Sequence, residues 1–318
     1  MKQTNLIIGG AYFSDERLSF MDKVEKEPSL KRVDTDWQDV RDSNRVDLPE
    51  ADSCFFFGLK TWTRKLRKSR LKPEQVVGKV SKFVSQNIDK DLPVGVLDDM
   101  NEADEADYGR ALRKFFLNET NCKVFLLREY WTDNGENYDS RVKPFSICCD
   151  VNDQFIKPME DKILDLYFRG DDSSPDRKNF LRQIQQMSLN KELLVYSGGE
   201  KSPEKLPREQ FLHKLASAKF CLCFAGHGYC TFRYQEIPSV GSISVQPNYP
   251  WKVFGDYQDM ISCVKYDSVY ELKDKIDYLL SNPEKLSNIR DAAMTNFKVN
   301  HSTEARFKQF QGYLQEIV

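Results

Sequence analysis

The chain has 318 residues, of which 40% are hydrophobic and 30% are charged, and its formal net charge is -2 at pH 7. This balance is typical of globular rather than disordered proteins, and the length is enough for two domains. A net charge near zero excludes a protein-wide field that attracts nucleic acid or anionic membranes, so any such attraction must come from a local patch.

The apolar segments and the cysteines indicate in which cellular compartment the protein is expected. Nowhere do 18 apolar residues run together, so no membrane-spanning helix is expected, and the start, MKQTNLIIGG, is too short for a signal-peptide core. Most of the eight cysteines lie in or beside apolar runs, and no CxxC pair exists. This pattern indicates buried free thiols rather than a disulfide framework or a zinc site. We therefore expect a cytoplasmic protein.

Along the chain, short apolar strands alternate with helical stretches. Strands are predicted at Asn5–Gly9, Cys54–Leu59, Val94–Asp98, Lys123–Arg128, Pro144–Cys149, Ile163–Arg169, Glu192–Tyr196, Phe220–Phe224, Ser242–Val245 and Ile261–Val264. Helices are predicted at Lys72–Val84, Ala103–Leu117, Asp176–Met187, Arg208–Ala218, Ser268–Leu280, Pro283–Phe297 and from about Ser302 to the C-terminus. This alternation predicts an α/β protein with parallel sheets and right-handed crossovers, the doubly wound class.

The polar segment Asp150–Asp161 interrupts this alternation and is interpreted as the interdomain connection. It divides the chain into two Rossmann-like domains, residues 1–150 and 151–318, with a last helix that crosses back to brace the first domain. Two such domains are expected to face a cleft. Because ligands of these folds bind where loops leave the carboxyl ends of the strands, the functional residues should follow the strands.

The most informative stretch is Phe220–Val245. A small-residue loop, Ala225–Gly228, follows a buried strand, and a helical segment then carries Arg233 and Glu236, three residues apart on one helix face. Glycines let backbone N–H groups approach a phosphate, a guanidinium suits a diphosphate, and a carboxylate suits ribose hydroxyls. The spacing alone fits a purely structural role, a tight turn followed by an ion pair between Arg233 and Glu236, as well as it fits a nucleotide site.

This stretch resembles the donor-binding signature of GT-B-fold glycosyltransferases, particularly the exostosin-like and spore-coat-type glycosyltransferase family 1 groups. Their pattern is a strand, a Gly-rich loop, Arg-x-x-Glu and a Gly-small-x-Val strand. Tyr167–Gly170 followed by Arg177 resembles the opening of their donor domain, and the likeness extends over about Val94–Val318. Tyr229–Thr231 departs from the family, where an acidic residue and a serine or threonine are common, so the sugar stays open.

The resemblance implies a metal-independent enzyme without a cofactor, which moves a sugar from a UDP- or GDP-sugar to an acceptor hydroxyl. It implies donor-binding roles for the following residues: Gly170, Arg177, His227, Gly228, Thr231, Arg233 and Glu236. His227 has the alternative of a loop histidine without a chemical role. Two other functions stay open, a catalytically silent nucleotide-binding interaction protein and a GT-B-fold nucleotide-sugar epimerase, although three histidines are a poor supply for an epimerase.

An inverting transfer needs a base near the acceptor hydroxyl, whereas a retaining one does not. The predicted strand Val94–Asp98 ends in two carboxylates, Asp98 and Asp99, and we take Asp98 as the first candidate for that base. The alternative is that this acidic group only favours the N-terminus of the next helix.

The run Lys60–Lys72 contains seven basic residues, one tryptophan and no acid. It predicts a binding surface for an anionic acceptor, such as an acidic glycan, a lipid-linked glycan or DNA that carries a hydroxylated base. The residues assigned to it are Trp62, Arg64, Lys65, Arg67 and Lys68, with Trp62 stacking on a base or a sugar ring. The alternative is a solvated helix face.

Overall fold

The computed structural model describes residues 5–9, 20–35, 37–68, 70–98, 108–131, 138–171, 175–197, 202–226, 230–249 and 251–317. The chain divides into two compact units. Unit 1 contains Met1–Ser146, Trp251–Phe254 and Arg306–Val318, and unit 2 contains Ile147–Pro250 and Gly255–Ala305.

The main sheet of unit 1 is parallel throughout. Its strands are β1 (Asn5–Gly9), β2 (Leu30–Asp34), β3 (Ser53–Phe57), β4 (Val94–Asp98), β5 (Cys122–Leu127) and, after the short β6 (Tyr130–Trp131), β7 (Val142–Pro144). They lie in the order β2-β1-β3-β4-β5-β7. Strands β3 and β4 are buried at every position, as expected for a parallel sheet that is covered on both faces.

The helices of unit 1 are α1 (Phe20–Lys26), α2 (Trp37–Asp42), α3 (Leu59–Lys68), α4 (Pro73–Asn87) and α5 (Arg110–Glu119). Aromatic side chains dominate the core beneath α3 and α4, where the rings of Phe56, Trp62, Phe83 and Phe116 are buried together. Pro73 opens α4 at its first turn, where its missing N–H costs no hydrogen bond.

Unit 2 contains a second parallel sheet. Its strands are β8 (Leu164–Asp171), β9 (Lys191–Tyr196), β10 (Ala218–Leu222), β11 (Ile243–Pro247) and β13 (Val264–Tyr266). Strand β12 (Trp251–Lys252), which lies between β11 and β13 in the chain, belongs to unit 1 and pairs with β6. The order is β13-β11-β10-β8-β9. Both sheets therefore have a doubly wound order that reverses once, which confirms the predicted fold class.

The helices that follow these strands are α6 (Pro175–Gln185), α7 (Arg208–Ala216), α8 (Arg233–Ser239), α9 (Val269–Leu280) and α10 (Pro283–Asn296). Helix α11 (Thr303–Glu316) begins in unit 2, and its residues from Arg306 onward belong to unit 1. Ser268 caps α9, because its hydroxyl accepts a hydrogen bond from the Glu271 amide at 3.2 Å.

Several sequence-based boundaries differ from the structure. Strand β2 and helices α1 and α2 were not predicted, and a helix over the basic run was considered only as the alternative to a binding surface. Strand β13 begins at Val264 rather than Ile261, and β7 covers Val142–Pro144 rather than Pro144–Cys149. The change from unit 1 to unit 2 follows Ser146. All eight cysteines are buried free thiols, as the apolar runs predicted. Within the described ranges, no helix is long and apolar enough to span a membrane.

Candidate functional site

The sheet of unit 2 reverses its winding between β8 and β10, which lie side by side. In doubly wound folds, ligands bind outside the carboxyl ends of the strands at this reversal. Here those ends are Asp171 at the end of β8 and Ala225, which follows β10. The site predicted from the sequence therefore falls at the expected edge of the sheet.

Arg177 connects the two strand ends. Its guanidinium donates to the Asp171 carbonyl oxygen at 2.6 Å, to Asp171 Oδ1 at 2.9 Å, and to the carbonyl oxygen of Ala225. The side chain is only 4% exposed. A buried guanidinium that bonds the backbone carbonyls of Asp171 and Ala225 connects the ends of the two strands.

Arg233 is the second cation at this edge and the first residue of α8. Its Nη2 donates to the Arg169 carbonyl oxygen at 2.7 Å. Its guanidinium carbon lies 5.0 Å from the ring centroid of Phe168 and 5.7 Å from that of Phe211. Two aromatic faces and a carbonyl therefore hold this side chain in one position.

The ring of Phe168 is shared by both arginines, because the guanidinium carbon of Arg177 lies 5.7 Å from its centroid. Gly170 makes this close arrangement possible. A Cβ atom at Gly170 would lie 2.8 Å from Phe168 Cζ and 3.4 Å from Arg233 Nη1. A side chain at position 170 would therefore clash with the ring of Phe168, so glycine is required there.

The electrostatics of this group favour an anionic ligand. Burial lowers the pKa of Arg177, and the neighbouring positive charge of Arg233 lowers it further. The carboxylate of Asp171 compensates one of the two charges, and it is itself more than one third exposed. Guanidinium groups of this kind suit phosphate and carboxylate ligands.

Glu236, one turn after Arg233, has a partner that the sequence did not reveal. Its carboxylate accepts a hydrogen bond from Arg208 Nη1, and its side chain is 4% exposed. Arg208 lies in the first turn of α7, where a positive charge opposes the helix dipole. That unfavourable placement is the one sequence signal that Arg208 has a specific partner.

Of the remaining predicted donor residues, Thr231 precedes α8 and its Oγ1 lies 3.9 Å from Cys223 Sγ. Its carbonyl oxygen accepts a hydrogen bond from the Tyr234 amide at 3.1 Å, which forms the turn into the helix. His227 and Gly228 lie outside the described residues. Tyr249, which was not predicted, accepts a hydrogen bond from the Ala225 amide at 2.9 Å through its hydroxyl oxygen.

A buried network of hydrogen bonds connects α8 to other residues of unit 2. His301 Nε2 lies 2.8 Å from the Gly255 carbonyl oxygen, and His301 Nδ1 lies 3.2 Å from Gln235 Nε2. Gln235 Oε1 accepts from the Tyr257 hydroxyl at 3.0 Å. These contacts require the neutral tautomer that donates from Nε2 and accepts at Nδ1. The network fixes the helix that carries Arg233 and Glu236.

In unit 1, the candidate base Asp98 is the last residue of β4, which pairs with β3 and β5. Its carbonyl oxygen accepts a hydrogen bond from the Arg128 amide at 3.2 Å, and the residue is only 1% exposed. Asp99 lies outside the described residues.

Residues 60–68 of the basic run lie in helix α3, and the stacking role predicted for Trp62 is wrong in this structure. Trp62 is 0% exposed, and its ring packs edge-on against Phe56 and Phe83, with centroid distances of 6.1 and 5.8 Å. No face of the ring is available to a base or a sugar. Lys65 is exposed, whereas the side chains of Arg64, Arg67 and Lys68 lie outside the described part of the chain.

Comparison with known proteins gives the fold and a family match. Residues 177–312, which include Arg177, Arg233 and Glu236, match the model of a family described as glycosyl transferase-like. No curated protein matches the chain.

Three solved structures are similar over nearly the whole chain. HepE of Anabaena in complex with UDP has a TM-score of 0.57 at 8% identity and covers 98% of this chain and 100% of its own. Sucrose-phosphate synthase from Thermosynechococcus elongatus has a TM-score of 0.56 at 8% identity, with 99% of each chain covered. An α-glucosyltransferase in complex with UDP-glucose and DNA containing an abasic site has a TM-score of 0.52 at 11% identity, with 98% and 99% covered. The chain therefore has the α/β fold with parallel sheets of GT-B glycosyltransferases.

Proposed function

We propose that the protein is a glycosyltransferase that moves a sugar from a nucleotide sugar to an acceptor hydroxyl. The observation that carries this proposal is the pair of arginines, Arg177 and Arg233, at the carboxyl edge of the sheet of unit 2. The family match begins at the first of these residues and includes the second. Of the solved structures with a similar fold, one contains UDP and another contains UDP-glucose.

In this proposal, the two guanidinium groups bind the diphosphate and Glu236 binds the ribose hydroxyls. Because Arg208 now occupies one oxygen of Glu236, the ribose would have to share that carboxylate or displace the arginine. The backbone around Gly170 and Gly228 would lie against the phosphates, with Thr231 and His227 beside them. Fixed positive charge at the leaving diphosphate supplies the stabilisation that a metal ion provides in other transferases. We therefore propose metal-independent transfer.

A thermal-shift screen against UDP- and GDP-sugars tests donor binding. A ligand that binds only the folded state stabilises it by about 2.7 kcal/mol at 100 times its Kd. At least one nucleotide sugar should raise the melting temperature, and the corresponding nucleoside monophosphate should raise it less because it lacks the second phosphate. If no nucleotide sugar shifts the melting temperature, the donor assignment is wrong. Donor binding without any transfer would instead indicate a catalytically silent nucleotide-binding protein.

For an inverting reaction, we propose that Asp98 is the base, with Asp99 as the second candidate. Asp98→Asn should reduce kcat by about 10² to 10⁴ while the KM for the donor changes little, because the base acts only as the acceptor loses its proton. Steady-state kinetics with an identified donor and acceptor measure both constants, and circular dichroism verifies folding of the variant. Full activity in both Asp98→Asn and Asp99→Asn would contradict this assignment.

We further propose that the acceptor is anionic, because the run Lys60–Lys72 concentrates positive charge in a chain of net charge -2. A surface polysaccharide, a lipid-linked glycan and DNA that carries a hydroxylated base are the three acceptor classes of this kind. Trp62 has no part in it, since its ring is buried.

Fluorescence anisotropy with labelled duplex DNA and with an acidic oligosaccharide, at low and moderate salt, tests this interaction. Binding should fall steeply with salt, because phosphate contacts release counterions. Changing Arg64, Lys65, Arg67 and Lys68 to Ser should abolish it. The opposite outcome is that the unmodified protein shows no detectable binding at low salt and that the variant keeps its full activity. In that case the basic residues of α3 form only a solvated helix face.

A further inference from the structure

Arg208 and Glu236 form an ion pair at the carboxyl edge of the sheet of unit 2. Arg208 is the first residue of α7, and its Nη1 donates to Oε1 of Glu236, which lies in the first turn of α8. Helix α8 follows β10, one of the two strands at which the sheet reverses its order, and also carries Arg233. The pair therefore lies at the edge where doubly wound folds bind their ligands.

The carboxylate of this pair is almost fully buried. The side chain of Glu236 is 4% exposed, whereas that of Arg208 is 37% exposed. Among the described residues, Arg208 alone donates a hydrogen bond to this carboxylate, and it does so to one oxygen, Oε1. A carboxylate has about four lone-pair sites on its two oxygens, so Oε2 is left to accept hydrogen bonds from a ligand.

Two buried thiols lie within the electrostatic range of this carboxylate. Burial raises the pKa of Cys223, the residue that follows β10, to about 11, while Arg233 lowers this pKa and Glu236 raises it. Burial raises the pKa of Cys149 as well, and there Glu236 raises it further while Arg208 lowers it. Glu236 is therefore close to the strand end that Arg233 also approaches, in surroundings where water screens charges only weakly.

The ribose of a bound nucleotide could reach Glu236 in two ways, by sharing the carboxylate with Arg208 or by displacing the arginine. Displacement would leave a buried carboxylate without its cation, and neutral hydroxyl groups do not compensate that charge. Sharing keeps the ion pair and uses the second oxygen, Oε2. The burial of Glu236 therefore favours sharing.

We propose that Arg208 is a positioning residue of the donor site, which holds Glu236 through Oε1 and so directs Oε2 at the vicinal hydroxyls of the ribose. The protein then selects ribonucleoside diphosphates over their deoxy analogues. Without Arg208, the buried carboxylate would have to turn toward solvent or bind a proton, and either change removes the fixed acceptor. This proposal rests on the proposed role of Glu236 in donor binding.

Isothermal titration calorimetry tests the selection with UDP and GDP, each compared with its 2′,3′-dideoxy analogue. A hydrogen bond to a charged group changes affinity by about 10- to 150-fold, so the analogue should bind the unmodified protein more weakly by that factor. In Arg208→Met this ratio of the two dissociation constants should fall at least about 5-fold. Loss of a purely structural contact, or of a phosphate contact, would weaken the nucleotide and its analogue equally and leave the ratio unchanged.

Two further variants serve as controls. Lys214→Met removes an ion pair on the same helix, in which Lys214 Nζ lies 2.7 Å from Glu192 Oε2, and it should keep the ratio of the unmodified protein. Glu236→Gln should lower the ratio by itself. Arg208→Met added to Glu236→Gln should then change the affinity for UDP by less than about 2-fold, because the arginine acts through the carboxylate. This double variant has no unpaired buried charge, so it provides the test if circular dichroism shows that Arg208→Met alone does not fold.

The possible failures are distinguishable. If Glu236→Gln lowers the ratio and Arg208→Met does not, the positioning role is wrong while the donor site stands. A further loss of UDP affinity when Arg208→Met is added to Glu236→Gln would mean that Arg208 contacts the nucleotide directly, which also contradicts positioning. If neither nucleotide binds the unmodified protein, or if Glu236→Gln leaves the ratio unchanged, the donor role of Glu236 fails and this proposal fails with it.

Discussion

Replacement of Arg233 by methionine removes one of the two proposed diphosphate ligands while it preserves most of the side-chain volume. A hydrogen bond between a guanidinium and a buried phosphate contributes about 1.5 to 3 kcal/mol, so the affinity for UDP should fall about 10- to 150-fold. Isothermal titration calorimetry with UDP at fixed salt measures this change.

The same substitution has a calculable effect on stability. It removes the hydrogen bond of 2.7 Å to the Arg169 carbonyl oxygen and the contact of 5.0 Å with the Phe168 ring. These losses amount to about 1 kcal/mol for the hydrogen bond and about 0.5 to 1 kcal/mol for the cation–π contact. They are partly offset because Arg177 loses a neighbouring like charge. The free energy of unfolding in urea should therefore fall by only about 1 to 2 kcal/mol, so the variant remains folded during calorimetry.

Arg290→Met is the matched control, because Arg290 belongs to the same unit but bonds the exposed Asp291 on α10. It should leave the affinity for UDP unchanged. Equal UDP affinity in the unmodified protein, Arg233→Met and Arg177→Met would refute the assignment of the paired arginines to the diphosphate.

Three further predictions concern stability. Gly170→Ala should lower the free energy of unfolding by about 1 to 3 kcal/mol, because its Cβ would lie 2.8 Å from Phe168 Cζ; an unchanged urea midpoint would contradict this. His301→Ala should lower it by about 2 to 4 kcal/mol, because it leaves a cavity and removes a partner of the buried Gln235; a loss below about 0.5 kcal/mol would show that the network is dispensable. Lys162 is buried, and burial lowers its pKa to about 8 from an ordinary value of 10.5. Between these two pH values the unfolded chain binds more protons at this residue than the folded one, so its contribution to stability rises with pH. The free energy of unfolding of the unmodified protein minus that of Lys162→Met should therefore increase by up to about 3 kcal/mol between pH 8 and 10.5. A difference that stays constant over this pH range would contradict the lowered pKa of Lys162.

Much of the fold was accessible from the sequence where strands are mostly apolar and buried. Strands β3 and β4 are buried at every position and β10 at every position except Lys219, and each was predicted to within about two residues. Strand β2 was missed because three of the five residues in its sequence, LKRVD, are charged, and it lies at the edge of the sheet. An edge strand has one side in contact with solvent, so it lacks the apolar run that identifies a central strand.

Helix α3 shows how a charge run concealed a core element. Leu59, Trp62 and Leu66 recur at helical spacing and are fully buried, whereas the basic residues between them drew the interpretation toward a binding surface. The periodicity of these apolar residues indicates the helix and its buried face, whereas the acceptor surface inferred from the basic residues stays a prediction.

The candidate site was predictable only in part, for a related reason. The Gly-rich loop and Arg-x-x-Glu indicated which segment to inspect, and the strand order places that segment at the reversal of the sheet. Contacts between residues far apart in sequence were not accessible. The bond from Arg208 to Glu236 spans 28 residues and that from Arg177 to Ala225 spans 48, and neither follows from local spacing.

Glycosyl transfer is tested most directly by the rate at which the unmodified protein releases UDP or GDP from a panel of nucleotide sugars in the presence of candidate acceptors. We expect that at least one nucleotide sugar is consumed, that Arg177→Met and Arg233→Met both lose this activity, and that Arg290→Met retains it. Consumption of no nucleotide sugar, or equal rates in all four proteins, would contradict the proposed transferase site.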